Sequence, residues 1–392
     1  MRVSISGGAG FIGRHFIRAL KQCCPGSTIK VLDCFSEQVH EPTSKRDFTA
    51  EFPHVQLRIG SVCDVADATW LVRDCDILVH LASETGTGQS MYDLGQYTLT
   101  NVAGTATLIE VLLKLNCKLD KLILTSSRSV YGEGAYGGCG TENCEVSREP
   151  VLRRTENLSA GKFNPICGSC DRNLVAKATA EDNVLAPASY YALTKKIQED
   201  QFKLFKNQIC SSLTIFRLQN VYGPGQCLTN PYTGILAIFS ALAKQGQTIN
   251  VFEDGEETRD FVHVRDVARC ITAAVLDTSS SQFDNIINVG SGIPTTVLSI
   301  AEKINQYYGG RSRIKVSGDF RLGDIRHNFA SKRRLQEAGI DTASFTDFDT
   351  GLLEFLTSIV SAPDDMENKL SASLSELSAA GMFLRGKFEN GD

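Results

Sequence analysis

Few stretches restrict a fold as tightly as RVSISGGAGFIG at positions 2–13. Arg2 to Ser6 alternate in polarity, with Val3 and Ile5 apolar, and predict a short buried strand. Gly7, Gly10 and Gly13 follow, and an amphipathic run opens from Phe11 to Leu20. A strand, a glycine turn and a helix in that order make a dinucleotide-binding unit. Glycine is required where the turn is tight, where backbone must approach a pyrophosphate, and where helix meets strand. The phosphates then rest on the free N–H groups at the helix N-terminus. Ile29 to Leu32 predict a second strand, and Asp33 at its end stands where a carboxylate accepts both ribose hydroxyls.

The same alternation continues. Val55 to Ile59, Ile77 to Leu81, Leu122 to Ser126 and Ser212 to Phe216 predict strands; Ala66 to Arg73, Leu99 to Leu115 and Tyr191 to Lys206 predict helices. This pattern makes an α/β chain with a doubly wound, mostly parallel sheet. Ligands of such sheets lie beyond the carboxyl ends of the strands, so Asp33, Asp64, the turn His80-Leu81-Ala82-Ser83 and Thr125-Ser126-Ser127 converge. From Val221 the pattern is mixed and predicts a smaller α/β region, with an apolar helix at Gly234 to Lys244, a further helix at Val297 to Tyr308, and strands at Ile286 to Val289 and Ile314 to Val316. The expected division is 1–220, 221–362 and a polar tail at 363–392, whose Leu370, Leu374 and Leu377 are spaced for one weak helix. Residues 132–186 break the rhythm and predict a long functional loop.

A net charge of −5 argues against a nucleic-acid surface as the main business, so substrate phosphates must be met by local arginines. No run reaches the roughly 20 apolar residues of a membrane span. The start carries no basic segment followed by an apolar one, so a cytoplasmic protein is expected. Thirteen cysteines are then read as reduced thiols, some of them metal ligands. Within the insertion, Cys139 and Cys144 form one pair and Cys167 and Cys170 another, a spacing that suits a four-thiolate structural zinc site or, alternatively, free thiols in a loop.

Chemistry enters with Tyr191-Ala-Leu-Thr-Lys195. Four residues apart on a helix, the two side chains share a face. An ammonium beside a phenol favours phenolate, and such a tyrosine can exchange a proton with a sugar or alcohol hydroxyl. Ser127, at the end of its strand, is placed to bond the same reacting oxygen.

These residues together resemble the extended short-chain dehydrogenase/reductase family, within it the NAD-dependent nucleotide-sugar epimerases and dehydratases. The resemblance spans about residues 1–360 and rests on GGAGFIG at 7–13, HLAS at 80–83, NVAGT at 101–105, SSRSVYG at 126–132, YALTK at 191–195, FRLQNVYGPG at 216–225, RDFVHVRDVA at 259–268 and RLGD at 321–324. It implies a Rossmann-type fold with a C-terminal substrate-binding region, and a tightly held NAD. Gly7, Gly10, Phe11, Ile12, Gly13, Asp33, Leu81, Ala82 and Ser83 would contact that NAD, with Asp64 and Val65 near adenine and Asn101 near the active site. It also implies a catalytic set of Tyr191, Lys195 and Ser127, and a sugar nucleotide held by Ser127, Asn220, Arg259 and Arg321. Homodimers are common in the family through helices corresponding to about 92–115 and 188–208.

Dehydratases and decarboxylases of this family carry an acid just after the catalytic Ser or Thr. Here those positions hold Arg128 and Ser129, which favours 4-epimerisation: C4 is oxidised by NAD, the ketose rotates, and the hydride returns to the other face. TGTGQSMYDLGQY at 85–97, SSRSVYGEG, the CGSC insertion and the SLSELSAAG tail are similar to the branch acting on dTDP-L-rhamnose. A UDP-hexose 4-epimerase, a non-catalytic NAD-binding regulator and an NADP-dependent reductase are the alternatives. The last would want a basic residue beside Asp33, where Cys34 and Phe35 stand.

Overall fold

Val3, Ile5, Ile29, Val31, Leu78, Val79 and Leu122 to Leu124 are all buried, because the strands that carry them are covered on both faces. The computed structural model describes residues 1–40, 43–139, 152–228, 230, 234–278, 282–360 and 366–386. In chain order the labelled strands are β1 (Arg2–Ser6), β2 (Thr28–Asp33), β3 (Gln56–Ile59), β4 (Ile77–His80), β5 (Leu119–Ser127), β6 (Ala135–Gly137), β7 (Val175–Lys177), β8 (Cys210–Leu218), β9 (Asn220–Tyr222), β10 (Ile249–Val251), β11 (Thr258–His263) and β12 (Ile286–Val289). The labelled helices are α1 (Phe11–Cys23), α2 (Ser44–Glu51), α3 (Val65–Val72), α4 (Leu94–Tyr97), α5 (Gly104–Lys114), α6 (Thr155–Ser159), α7 (Tyr190–Ile209), α8 (Ile235–Gln245) and α9 (Val264–Leu276).

The central sheet has seven parallel strands in the order β12-β8-β5-β4-β1-β2-β3. Side chains alternate along each strand, so each strand feeds two cores. Ile5, Val31, Val79 and Ile123 pack under α1 and α9, against Phe16, Ile17, Leu20, Val267 and Ile271. Leu32, Leu78, Leu122 and Leu124 face the other way, against α3, α5 and α7. A third core, with Leu236, Phe239, Ile249, Val251, Phe261, Ile300 and Phe355, builds the smaller region.

The expected division at 220 is crossed by the chain. β12 returns to the central sheet, with Asn288 opposite Arg217, and α9 lies on α1. The helix expected over Leu99–Leu115 is interrupted: residues 98–103 form a π-helical turn before α5 begins. The insertion also differs from the loop expected. β6 and β7 pair antiparallel within it, and α6 packs Leu158 beside Phe163 and Phe320. In the tail, a helix over Met366–Ala379 carries Leu370, Leu374 and Leu377 as expected, and Phe383–Leu384 then pairs with Phe320–Arg321.

A buried ion pair ties three elements together under the site. Arg217 of β8 donates to both carboxylate oxygens of Glu199 on α7, at 2.9 and 2.8 Å, and Ser126 of β5 adds a third bond at 2.6 Å. The Arg217 Nη1 also reaches the Tyr131 hydroxyl at 2.9 Å.

Candidate active site

The glycine turn shows why each glycine stands where it does. Gly7 has φ 71°, and a Cβ there would come within 2.7 Å of the Ala82 nitrogen. A Cβ on Gly13 would lie 2.4 Å from the Gly8 oxygen, where α1 crosses the turn. At Gly10 an added Cβ would meet only the Gly7 oxygen, at 3.3 Å, on the side open to the cavity. No side chain caps α1 at Gly10, and the first turn of α1, Gly10 to Gly13, lines that cavity. The Asp33 carboxylate accepts from Ala9 N at 2.9 Å and from Phe35 N at 3.0 Å, which fixes it beside the turn. This set fits a dinucleotide: donors for phosphate at the helix end, an acceptor for ribose at the strand end.

A cavity of about 1230 Å³ runs from this turn across the strand ends to the smaller region. Gly7, Gly10, Phe11, Ile12, Gly13, Asp33, Leu81, Ala82 and Ser83 all line it. The turn after β3 contributes Gly60 to Cys63. Asp64 instead caps α3, accepting from Asp67 N at 2.9 Å, and Val65 is exposed. Asn101 is fully buried and braces the site: its Oδ1 accepts from Ser83 Oγ and Glu84 N, and its Nδ2 donates to Thr194 on α7.

Ser127, Arg128, Ser129 and Tyr191 line the middle of the cavity. Ser127 Oγ accepts from Ser129 N at 3.2 Å and Ser129 Oγ at 2.9 Å. The structure departs from the simple expectation for Tyr191. Burial pushes its phenol above the ordinary value, opposed by the Ser127 hydroxyl and the Arg128 charge. Lys195 is buried behind it, donates to Gln198 Oε1 at 2.6 Å, and is lowered by burial to about 7, with Glu199 acting the other way.

The far end of the cavity is cationic. Arg259 and Arg321 line it, as does Asn220. Arg259 donates to Asp324 Oδ1 at 3.2 Å; Arg321 stacks over Phe252 at 4.7 Å. Burial pushes the Asp324 carboxyl up, but Arg259, Arg321 and Arg153 outweigh it and the net shift is downward. Arg128 was visible in the sequence only as a missing acid. It is a half-buried third arginine, bonded through Nε to Asn220 Oδ1 at 3.3 Å and lowered to about 10, by burial first and by Arg259 next. Arg128 Nη1, Asn220 Nδ2 and Arg321 Nε are buried with no hydrogen-bond partner among the described residues, as donors for an anionic ligand require. Leu370 and Leu374 of the tail helix close another wall. Their spacing signalled a helix but not its destination.

In the insertion, Cys139, Cys167 and Cys170 converge, and none of the three lines this cavity. Cys144 lies outside the described residues.

The chain is 36% identical over 329 residues to a dTDP-L-rhamnose 4-epimerase of Burkholderia thailandensis, covering 83% of this chain and 86% of that one. It is 27% identical over 341 residues to a UDP-glucose 4-epimerase of Mycolicibacterium smegmatis, covering 86% and 92%. Its fold matches that of the UDP-glucuronic acid 4-epimerase from Bacillus cereus, solved with UDP-glucuronic acid and NAD, at a TM-score of 0.71 and 22% identity over 92% of this chain and 99% of that one. Residues 3–156 and 165–290 match the NAD dependent epimerase/dehydratase family across both the glycine turn and the Tyr191–Lys195 helix, and the chain belongs to that family.

Proposed function

We propose that this protein is an NAD-dependent nucleotide-sugar 4-epimerase, acting on a dTDP-6-deoxyhexose such as dTDP-L-rhamnose. One observation carries the reaction type: Ser127 and Tyr191 face the cavity together, and the two positions after Ser127 hold Arg128 and Ser129 rather than a carboxylate. Bound NAD would accept the hydride from C4 and return it to the opposite face. Ser127 orients the C4 oxygen, and Tyr191 takes and returns its proton. Lys195, held by Gln198 and lowered to about 7 by burial, is placed to donate toward the nicotinamide ribose. Arg128, Asn220, Arg259 and Arg321 hold the diphosphate end. Elimination of water needs a second acid beside Ser127, and none stands there.

The identity to the dTDP-L-rhamnose enzyme supports the substrate class. UDP-hexose is the second reading, supported by the lower likeness to UDP-glucose 4-epimerase. Among the described residues no helix is long and apolar enough to cross a membrane, and we place the protein in the cytoplasm. A homodimer is supported by exposed leucines on α4, α5 and α7, and a structural zinc by the converging cysteines of the insertion.

Incubation with a panel of dTDP- and UDP-sugars, followed by NMR of the C4 configuration, tests this. Interconversion of C4 epimers is expected, fastest with a dTDP-6-deoxyhexose and without net consumption of NAD. A product lighter by one water in mass spectrometry would overturn it.

A further inference from the structure

The insertion at 132–186 holds a cluster of side chains that the epimerase chemistry does not use. The Sγ atoms of Cys139, Cys167 and Cys170 all lie within 4.8 Å of one another, and Cys139 and Cys170 are 3.0 Å apart. Two separate backbone devices bring them there. Cys139 is the second residue after β6, and β6 is fixed by its pairing with β7, Gly137 opposite Val175. Cys167 and Cys170 sit on a tight knuckle. Cys167 N donates to Arg172 O at 2.8 Å, Asp171 N donates to Cys167 O at 3.1 Å, and Leu174 N closes on Pro165 O at 2.9 Å. Asp171 takes the left-handed conformation, φ 54°, that lets the chain reverse just past the second thiol. Both thiols of the knuckle thereby point the same way, toward Cys139.

Thiolates bind zinc at about 2.3 Å in tetrahedral array, which sets sulfur–sulfur edges of about 3.8 Å. The observed cluster admits that spacing, with one edge of 3.0 Å and the others within 4.8 Å. Three thiolates fill three of the four positions of a tetrahedral zinc and leave one for a fourth ligand, and all-sulfur sets of this kind select zinc or iron among the common metals. Each thiol releases its proton to solvent as the metal binds.

The insertion is joined to the cationic end of the cavity by a buried chain of bonds. Arg153 pairs with Glu133 at 2.8 Å and with Glu253 at 2.6 Å, and donates to the Asp324 carbonyl at 2.6 Å. Asp324 in turn holds Arg259. Phe163 and Leu158 pack on Phe320, the neighbour of Arg321. Ordering of this segment therefore reaches two of the arginines assigned to the diphosphate.

We propose that Cys139, Cys167 and Cys170 ligate one structural zinc ion, which clamps the insertion and so braces the Arg321–Asp324 wall of the sugar-nucleotide cavity. The metal site stands on the cysteine geometry alone; only the bracing rests on the nucleotide-sugar reading.

Elemental analysis of the full chain, purified without added metal, is expected to give about one zinc per chain. A zinc-free protein would overturn the site, and so would iron in place of zinc or a Cys139–Cys170 disulfide in non-reducing peptide maps. In a Cys167→Ser/Cys170→Ser variant the zinc is expected to be lost and bound NAD retained, with KM for the sugar nucleotide raised roughly tenfold and kcat little changed. Zinc retained in that variant would refute the thiolate assignment. An unchanged KM with zinc lost would refute the bracing. Should the variant fail to fold, a mercurial thiol reagent on the wild-type protein, with a chromophoric chelator present, still decides: zinc must be released in step with thiol modification. None of the metal readouts depends on turnover, so a failure of the epimerase assay leaves them standing.

Discussion

Lys195 shows how much a single side chain fixes around it. Its ammonium can only donate, so Gln198 must present Oε1 to it, at 2.6 Å. The Gln198 Nε2 is thereby aimed at Thr105 Oγ1, 2.8 Å away, and at His80 Nε2, 3.2 Å away. His80 Nε2 then accepts, and its Nδ1 carries the proton toward Ser6 Oγ at 2.6 Å, at the entrance to the glycine turn. The pair Tyr191 and Lys195 was legible in the sequence because four residues make one helical turn. His80, Gln198 and Arg128 were not legible in these roles, because their partners are 118, 118 and 92 residues away. Tyr191 is the acid–base residue of the proposal. Tyr191→Phe keeps the ring that packs edge-on to Tyr97 at 6.4 Å, so fold and NAD content should survive. Turnover should fall about 10²–10⁴-fold, the usual worth of a general acid–base group. Steady-state rates beside NAD content of the purified variant check this; a variant keeping more than roughly a tenth of the rate would remove Tyr191 from that role.

At the scale of elements, α7 is the beam on which the site hangs. Its N-terminus carries Tyr191 and Lys195, Gln198 anchors it to β4 and α5, and Glu199 anchors it to β5 and β8. The π-helical turn at 98–103 belongs to the same device, because it carries the buried Asn101 that joins Ser83 and Glu84 to Thr194 on α7. Hydrophobic periodicity signalled a helix there and could not show the extra residue in its turn. The β4–α7 joint has a pH signature. Burial, and secondarily the Lys195 charge, hold His80 down at about 3, against an ordinary 6.5. Between those values the unfolded chain binds a proton that the native chain refuses, so stability is lost as pH falls through 6.5 and the loss is complete only below 3. The full penalty is roughly 5 kcal/mol. Urea unfolding at several pH values should show this acid slope, and His80→Gln should flatten it whatever its effect at neutral pH. An equal slope in the variant would mean that His80 does not titrate on unfolding.

On the scale of the whole molecule, regions that look separate in sequence share one site. β12 completes the central sheet from beyond the expected boundary, and the tail strand at Phe383–Leu384 pairs with the strand bearing Arg321. A second copy of the chain is expected against α5 and α7, where Leu113, Leu193 and Leu204 are exposed. Leu204 is 73% exposed and is the most exposed of the three. Light scattering should give the mass of a dimer, and Leu193→Asp/Leu204→Asp should give a monomer that still binds NAD; a monomeric wild-type protein would exclude this interface. The sequence by itself determined the glycine turn, the strand–helix alternation and the Tyr191–Lys195 face. Each is a short-range pattern, set by backbone sterics or helical and strand periods within a few residues. Only the tertiary structure decided that Arg128 joins Arg259 and Arg321 at one end of the cavity, that Asp64 caps a helix instead of lining the cavity, and that the insertion and the tail both pack beside Arg321. Those outcomes depend on which distant groups are buried together, and burial is a property of the assembled layers rather than of any segment.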